Sequence, residues 1–448
     1  MAENIRQVVI ETLFELGKTK RPFSAIFEQI GNQTLLNGKD RQLAMKIIYG
    51  VLRNRDYLDT LLGQLCRQPL NKIKPYIHHA LHCGLYQIFF LDRIPPSAAV
   101  NETVKAIQAR KFPKPVQGFV NGVLRESIRQ RTYLPKPEDP DANGQPILNH
   151  PAWLTKRWRK HYGTDTMVRI CVHNNREPLL CLRADSDNIK ELQTSLEDAG
   201  VDVRVGNYAP NSLVVADYHG RIGDIEGIEQ GYVQVQDQAA QLATLLLAPF
   251  SPNNTYLDGC AGLGGKTNHL ISLIDPTTSS ITAVEPDYKR FQILRQTLTR
   301  PRNKSRVVTS NQYLQEFVQD CSLKFDRILI DAPCSGTGVI GRHPDIRWNR
   351  TGSELAHYAS RQLELLSKVA TLLEADGVLI YTTCSIEPEE NDHVIKLFLE
   401  RHDDFIKADC GDFLPASCNK FISNGYFAPL PESGIDGFFG ARLTRKKS

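Results

Sequence analysis

The sequence predicts a multidomain chain: an all-α N-terminal domain over residues 1–140, a small α/β domain over 145–237 and a C-terminal α/β domain over 238–448. Three observations predict it. Apolar residues recur at helical spacing up to about residue 132, as in "RQLAMKIIYGVLRNRDYLDTLLGQL". A proline- and acid-rich stretch without periodicity, "LPKPEDPDANGQP", then interrupts the pattern. From about residue 238, short β-branched runs alternate with amphipathic segments, which is the signature of βαβ units and a mostly parallel sheet.

The N-terminal part continues with "KPYIHHALHCGLYQIFFLD" and "AAVNETVKAIQAR", broken at Pro95-Pro96 and Pro113 because proline ends a helix. Its first residues, "MAENIRQVVIETLFELG", carry acids inside an amphipathic pattern and read as a first helix, not as a secretory signal. Residues 1–150 hold 21 Lys+Arg against 13 Asp+Glu, a balance of +8, whereas the other 298 hold 33 against 37, a balance of −4. A basic module joined to a near-neutral remainder suits a polyanionic partner. His78 and His82 have the i, i+4 spacing of helical metal ligands, but no third ligand is evident and no Cys-x-x-Cys occurs, so no metal is expected.

In the middle segment, "LLCLRAD", "SLVVAD" and "YVQVQD" read as strands and "IKELQTSLEDAG" as a helix, giving a small RRM-like sandwich. Trp153 and Trp158 stand among Arg157, Arg159 and Lys160. Single-strand nucleic-acid binders mix aromatics and bases in this way, and core tryptophans beside surface cations fit the same residues.

The C-terminal domain reads as a Rossmann-like fold, with strands at "TYLDG", "ITAVEP", "RVVTS", "DRILID" and "GVLIYTTC" and a late antiparallel strand at "GFFGARLTRK". The first strand runs into "LDGCAGLGGKTNHL", whose glycines let the backbone approach a ligand ahead of a helix N-terminus. Glu285 ends the next strand about 20 residues on, where a carboxylate takes a ribose hydroxyl. A P-loop would need glycine six positions before Lys266, where Cys260 stands, and a dinucleotide fingerprint would need glycine at Thr267. S-adenosylmethionine, which has no phosphates, is the ligand that remains.

Two cysteines stand in similar motifs, Cys334 in "ILIDAPCSG" and Cys384 in "YTTCS". Carbon 5 of a pyrimidine is a poor nucleophile until a thiolate adds to carbon 6 and makes the ring enamine-like. A carboxyl group must relieve the ring nitrogen of negative charge, and Asp331, three residues before Cys334 at the end of a strand, is placed for that. A second thiol suits release of the product. The seven cysteines Cys66, Cys83, Cys171, Cys181, Cys321, Cys410 and Cys418 read as small buried hydrophobes, and Cys260 as packing under the glycine turn. With no signal peptide and no dense cysteine spacing, free thiols in a reducing cytoplasm are expected. Nothing apolar approaches the ~20 residues of a membrane span.

"DAPCSGTGVIGRHPDIRW" together with "YTTCSIEPEEN" resembles the RNA cytosine-5 methyltransferases of the Nol/Nop/Sun family, and "AAVNETVKAIQARKFPKPVQGFVNGVLR" looks like the end of the NusB-like RNA-binding domain carried by its bacterial RsmB branch. The resemblance spans nearly the whole chain. It implies Cys384 as nucleophile, Cys334 as the group assisting release, and Asp331 as the contact to the cytosine ring and the cofactor's methionine end. Lys266, counted with the catalytic residues, would line the cofactor with Cys260, Ala261, Gly262, Leu263, Gly264 and Gly265, and Glu285 would hold the ribose. The chain departs from the family at Ala261-Gly262-Leu263, where Ala-Ala-Pro is usual, and at Asn311, where an aspartate is frequent and where asparagine can still meet adenine. Arg342, His343 and Asp345 would hold the active-site loop or the RNA backbone. The implied substrate is one cytosine of 16S ribosomal RNA, naked or early in assembly, acted on by a monomer. The rival readings are a tRNA methyltransferase and a non-catalytic antitermination factor.

Overall fold

The computed structural model describes residues 5–34, 36–141, 144–185, 189–216, 218, 220–299 and 306–447. The chain divides into two compact units, Met1–Glu177 with Ile340–Gly352, and Pro178–Val339 with Ser353–Ser448.

Nine helices build most of the first unit among the described residues: α1 Ile5–Leu16, α2 Phe23–Thr34, α3 Gly38–Arg53, α4 Arg55–Leu65, α5 Pro75–Phe90, α6 Pro96–Ala109, α7 Lys114–Arg129, α8 Ala152–Tyr162 and α9 Thr164–Asn175. Of the prolines that break the sequence pattern, Pro96 opens α6 while Pro95 and Pro113 are the N-caps of α6 and α7; Pro75 and Pro115 likewise stand in the first turns of α5 and α7, where the missing N–H costs nothing. Helix α5 is buried nearly all round, and Leu81 and Leu85 join Val9, Ile48, Leu58 and Leu124 in one core. Sequence reading groups α8 and α9 with the small α/β segment; by compactness they count with the helices before them. Trp158 is fully buried on α8, edge-on to His150 at 5.5 Å, and is a core residue. Asp59 on α4 accepts from His78 Nε2 at 2.6 Å and His82 Nε2 at 2.7 Å, a carboxylate partner that the sequence spacing did not reveal.

The segment Ile340–Gly352 belongs to this helical unit. Arg347 is fully buried there, donating from Nη1 to Asn149 O at 2.9 Å and Asn175 Oδ1 at 2.6 Å and from Nη2 to Asn174 O at 2.8 Å. Trp348 Nε1 donates to Leu52 O at 2.8 Å, and Asp345 accepts from Phe23 N at 3.4 Å.

The second unit opens with an antiparallel sheet of β1 Leu180–Ala184, β2 Val203–Val205, β3 Ser212–Val215 and β4 Val233–Val235, in the order β2-β3-β1-β4. Leu192 and Leu196 of α10, Ile189–Asp198, cover it and share a core with Leu182, Leu213 and Val215. A larger sheet follows: β5 Thr255–Asp258, β6 Ser280–Val284, β7 Arg306–Ser310, β8 Phe325–Asp331, β9 Leu373–Thr383, β10 Phe405–Ala408, β11 Ile422–Ser423, β12 Tyr426–Phe427 and β13 Phe439–Arg445. Its order is β11-β12-β13-β9-β8-β5-β6-β7, with β10 against β13. Strands β5 to β9 pair in parallel, and β13 runs antiparallel to β9.

Both faces of the parallel part are covered, which is why its strands are apolar without alternation. Tyr256, Leu329, Val378 and Ile380 pack on one face, and Leu257, Ile328, Ile330, Leu379 and Tyr381 on the other. Burying each such side chain contributes about 1.5–3 kcal/mol. Arg183 on β1 ties the small sheet to the helix Gly265–Leu273, donating to Asn268 Oδ1 at 2.7 Å and Ser272 Oγ at 3.2 Å. Strand order reverses between β5 and β8, so a crevice opens at the C-terminal ends of these strands.

Candidate active site

The crevice begins at the turn Cys260–Gly265 after β5. Gly262 (φ 57°) and Gly264 (φ 89°) are left-handed, a conformation that glycine adopts without the Cβ penalty. Gly262 N donates to Glu285 Oε2 at 3.0 Å, and Asp287 N donates to Glu285 Oε1 at 2.9 Å. Burial pushes the Glu285 carboxyl up, against the pull of these donors. Asn311, just past β7, donates from Nδ2 to Glu285 O at 2.8 Å and Pro286 O at 3.1 Å, so its amide oxygen is what it retains for a ligand. Ala261 is buried and Leu263 half exposed. Cys260 packs against the core, and burial pushes its thiol well up, so it is inert.

One residue of this turn escaped sequence reading. Asp258 ends β5 fully buried; its Oδ2 accepts from Thr267 Oγ1 at 2.7 Å, while Oδ1 has no partner among the described residues. Burial, seconded by the charge of Asp331 and opposed by the Thr267 hydrogen bond, pushes its carboxyl up to about 6. A buried acceptor without a donor, a second carboxylate at Glu285 and open space over Gly262 form a cradle for the hydroxyl and amino groups of a nucleoside. Lys266, the nearby cation, is already committed: its Nζ donates to Asp331 Oδ2 at 2.6 Å. The cradle therefore suits a ligand without phosphates.

Register brings the other groups together. Asp331 pairs with Thr382 across β8 and β9, and Thr382 Oγ1 donates to Asp331 Oδ1 at 3.1 Å. Both strands end there, and the loops that follow place Cys334 Sγ 3.1 Å from Cys384 Sγ. The hydrogen bond to Cys384, burial and the charges of Cys384, Glu390 and Asp331 all push Cys334 far up, so it keeps its proton. Burial pulls the Lys266 ammonium down, but the charge and hydrogen bond of Asp331, with the charge of Cys384, leave it raised and protonated.

The two loops are laced by backbone bonds: Ala332 N donates to Thr382 O at 2.8 Å and Gly338 N to Cys384 O at 2.9 Å. A side chain at Gly338 would collide with the backbone of Gly437, whose N–H donates to Gly338 O at 2.9 Å. Behind the thiols lies Glu390, buried and hydrogen-bonded to Ser335, Ser385 and Gln362. Its string "PEEN" is visible in sequence, but nothing there says which acid turns inward.

Comparison with known proteins places this geometry in a family. The NusB family matches residues 3–129, a ferredoxin-like domain of RsmF/B-like methyltransferases matches 150–219, and the 16S rRNA methyltransferase RsmB/F matches 244–444. The ribosomal RNA small subunit methyltransferase B of Sodalis glossinidius (strain morsitans) is 36% identical over 450 residues, covering 99% of this chain and 98% of its own. The chain belongs to the RsmB/F methyltransferase family. The probable ribosomal RNA small subunit methyltransferase B of Bacillus subtilis (strain 168) is 31% identical, covering 99% of both chains. The RsmB/F architecture also superposes on the crystal structure of PH0851 with a TM-score of 0.77, at 24% identity and 99% coverage of each chain. The NusB-like, small α/β and methyltransferase parts expected of an RsmB/F chain are therefore all present.

Five of the ten cysteines, Cys83, Cys171, Cys181, Cys410 and Cys418, are buried as expected, and burial pushes the Cys83 and Cys171 thiols up to about 12 and Cys410 to about 11. Cys66 and Cys321 are only half-buried, correcting the expectation for those two. Among the described residues no helix is long and apolar enough to cross a membrane.

Proposed function

We propose that this RsmB/F chain transfers a methyl group from S-adenosylmethionine to carbon 5 of a cytosine in 16S ribosomal RNA, through a covalent bond between Cys384 and the base. The observation that carries the reading is the pair of thiols 3.1 Å apart beside the Asp331–Lys266 ion pair. One cysteine would serve a simple nucleophile; two in contact serve a reaction that must make and then break a bond to sulfur.

S-adenosylmethionine would supply an electrophilic methyl group when bound, and Asp258, Glu285, Asn311 and the 260–265 turn would hold it. Cys384 adds to carbon 6 of the cytosine as its S–H proton passes to the Asp331 carboxylate, which is held in position by Lys266 and Thr382 and hands that proton to the ring nitrogen. Carbon 5, now enamine-like, accepts the methyl group. Cys334 gives its proton to the departing sulfur of Cys384 and, as the thiolate so formed, takes the proton from carbon 5. The ring nitrogen then gives up its proton through Asp331 to solvent, so both thiols and the Asp331 carboxylate are restored and one proton is released for each methyl group transferred. The substrate is RNA that is naked or in early assembly, delivered by the basic helical unit.

The test is methyl transfer to 16S RNA with nucleoside mass spectrometry. Native enzyme yields 5-methylcytidine; Cys384→Ala yields neither product nor adduct; Cys334→Ala yields enzyme bound covalently to RNA on a denaturing gel. An adduct formed by Cys384→Ala would reverse the roles, and methylation at any other atom would overturn the reading. Methylation of tRNA in preference to 16S RNA would move the substrate assignment.

A further inference from the structure

Behind the two thiols, the carboxylate of Glu390 touches both cysteine loops. It is 0% exposed, on the one-turn helix Pro388–Glu390 seven residues past β9. Oε1 accepts from Ser335 N at 2.8 Å and from Gln362 Nε2 at 3.0 Å. Oε2 accepts from Ser385 Oγ at 2.7 Å and from Ser335 Oγ. Ser335 follows Cys334 and Ser385 follows Cys384. Four donors, two of them hydroxyls adjoining the two thiols, thus converge on one buried carboxylate.

Glu390 has no cation partner among the described residues, which makes it expensive to bury, and burial pushes its carboxyl up against the pull of its donors. Such a site is stable only while its acceptor positions are filled, so each loop is held to the other through Glu390. Neighbouring contacts stiffen it: Asn391 Nδ2 donates to Ser385 O at 2.9 Å, Thr383 Oγ1 to Asn391 Oδ1 at 2.7 Å, and Tyr381 OH to Glu390 O at 2.6 Å. Gln362, on the helix Leu355–Ala370, adds a donor to Pro333 O at 3.0 Å and so reaches the residue before Cys334.

We infer that Glu390 is the positioning residue of the reaction, the clamp that sets the separation of Cys334 and Cys384. It does not touch the base. Its action is to hold the releasing thiol within reach of the attacking one, so that elimination follows methyl transfer without rearrangement. The kinetic role rests on the cytosine-methylation reading; the clamp itself does not, and the experiment separates them.

Thiol proximity is read directly by diamide, which takes two protons and two electrons from a thiol pair and leaves a disulfide, itself becoming the hydrazine. In the full-length protein, Cys334–Cys384 cross-linking is followed by mass spectrometry after alkylation, beside methyl transfer. Glu390→Ala is expected to slow cross-linking at least tenfold, and to lower kcat at least tenfold with KM for S-adenosylmethionine unchanged. Glu390→Gln keeps an oxygen for Ser335 N and an amide that the rotatable hydroxyls can accept, so it is expected to recover most of both. Ser385→Ala, which cuts the carboxylate's hydroxyl link to the Cys384 loop and leaves Glu390 in place, is expected to slow cross-linking several-fold and covers the case in which Glu390→Ala does not fold. Cross-linking at the native rate in Glu390→Ala, or in Ser385→Ala should the former not fold, overturns the proposal, as does a Glu390→Gln no better than Glu390→Ala. If native protein methylates no cytosine while the cross-linking contrast persists, the methylation reading falls and the clamp stands.

Discussion

At the scale of single residues, the informative groups are those whose environment contradicts their chemistry. Asp258 is a buried carboxyl with one oxygen that has no hydrogen-bond partner among the described residues. With a folded-state value of about 6 against 3.8, the folded protein holds this proton more tightly than the unfolded chain. The resulting stability is complete below about pH 4 and is lost as pH rises through 6; at 1.36 kcal/mol per pH unit, roughly 3 kcal/mol is given up by neutral pH. Asp258→Asn is therefore expected to be more stable than native protein at pH 7.5, by up to about that amount, and nearly equal to it at pH 4. Urea unfolding at the two pH values checks this, and an equal gap at both would refute it. The same residue shows the limit of sequence reading. Cys334, Cys384, Asp331 and Glu285 were legible because chemistry demands those residue types in motifs, whereas Asp258, Thr382 and Glu390 act through burial and register, which exist only after the strands pair.

At the scale of elements, the β-branched runs gave β5 to β9 and the late strand β13, because both faces of that sheet are covered and the runs are long. The strands β2, β10, β11 and β12, of three, four, two and two residues, are too short to show a period and owe their pairing to neighbours. The run "TLLEA" after the helix Leu355–Ala370 would suit another turn of helix, yet β9 starts at Leu373, since a short apolar run fits either state. The segment Ile340–Gly352 teaches a different lesson: "GRHPDIRW" reads as holding the active-site loop or the RNA backbone, yet Arg347 is core of the helical unit. Arg347→Ala would strip donors from the carbonyls of Asn149 and Asn174 and from the Asn175 side chain, at roughly 1–3 kcal/mol for each buried acceptor left unmet. A loss of at least about 3 kcal/mol is expected. Arg347→Lys should recover little of it, because an ammonium cannot reproduce the guanidinium fork. Thermal unfolding of the three proteins decides it, and a lysine variant as stable as native would show that charge, not geometry, holds the site.

For the whole molecule, the uneven charge is the property that composition made visible first, and the described surface says which cations can act on a polyanion. Lys105, Arg110 and Arg129 are exposed but paired with Glu102, Glu11 and Glu126. Lys111 and Lys114, exposed at the turn between α6 and α7, have no acidic partner among the described ion pairs. A cation that already has a carboxylate beside it must give up that attraction to meet a phosphate, so the two lysines are the better candidates for backbone contact. Each single-strand phosphate neutralised releases counterions with a slope of about 0.7 in log K against log salt. Lys111→Ala with Lys114→Ala is accordingly expected to weaken binding of 16S RNA fragments about tenfold at low salt and to reduce that slope by about 1.4. Binding of S-adenosylmethionine and the melting temperature should not change, since both lysines lie in the helical unit and outside its core. Filter binding across a salt series measures the slope. A native slope in the double variant would exclude this turn from the RNA footprint and shift the search to other basic residues of the helical unit, while a lost slope with unchanged methylation of saturating RNA would separate delivery of the substrate from the chemistry at Cys384.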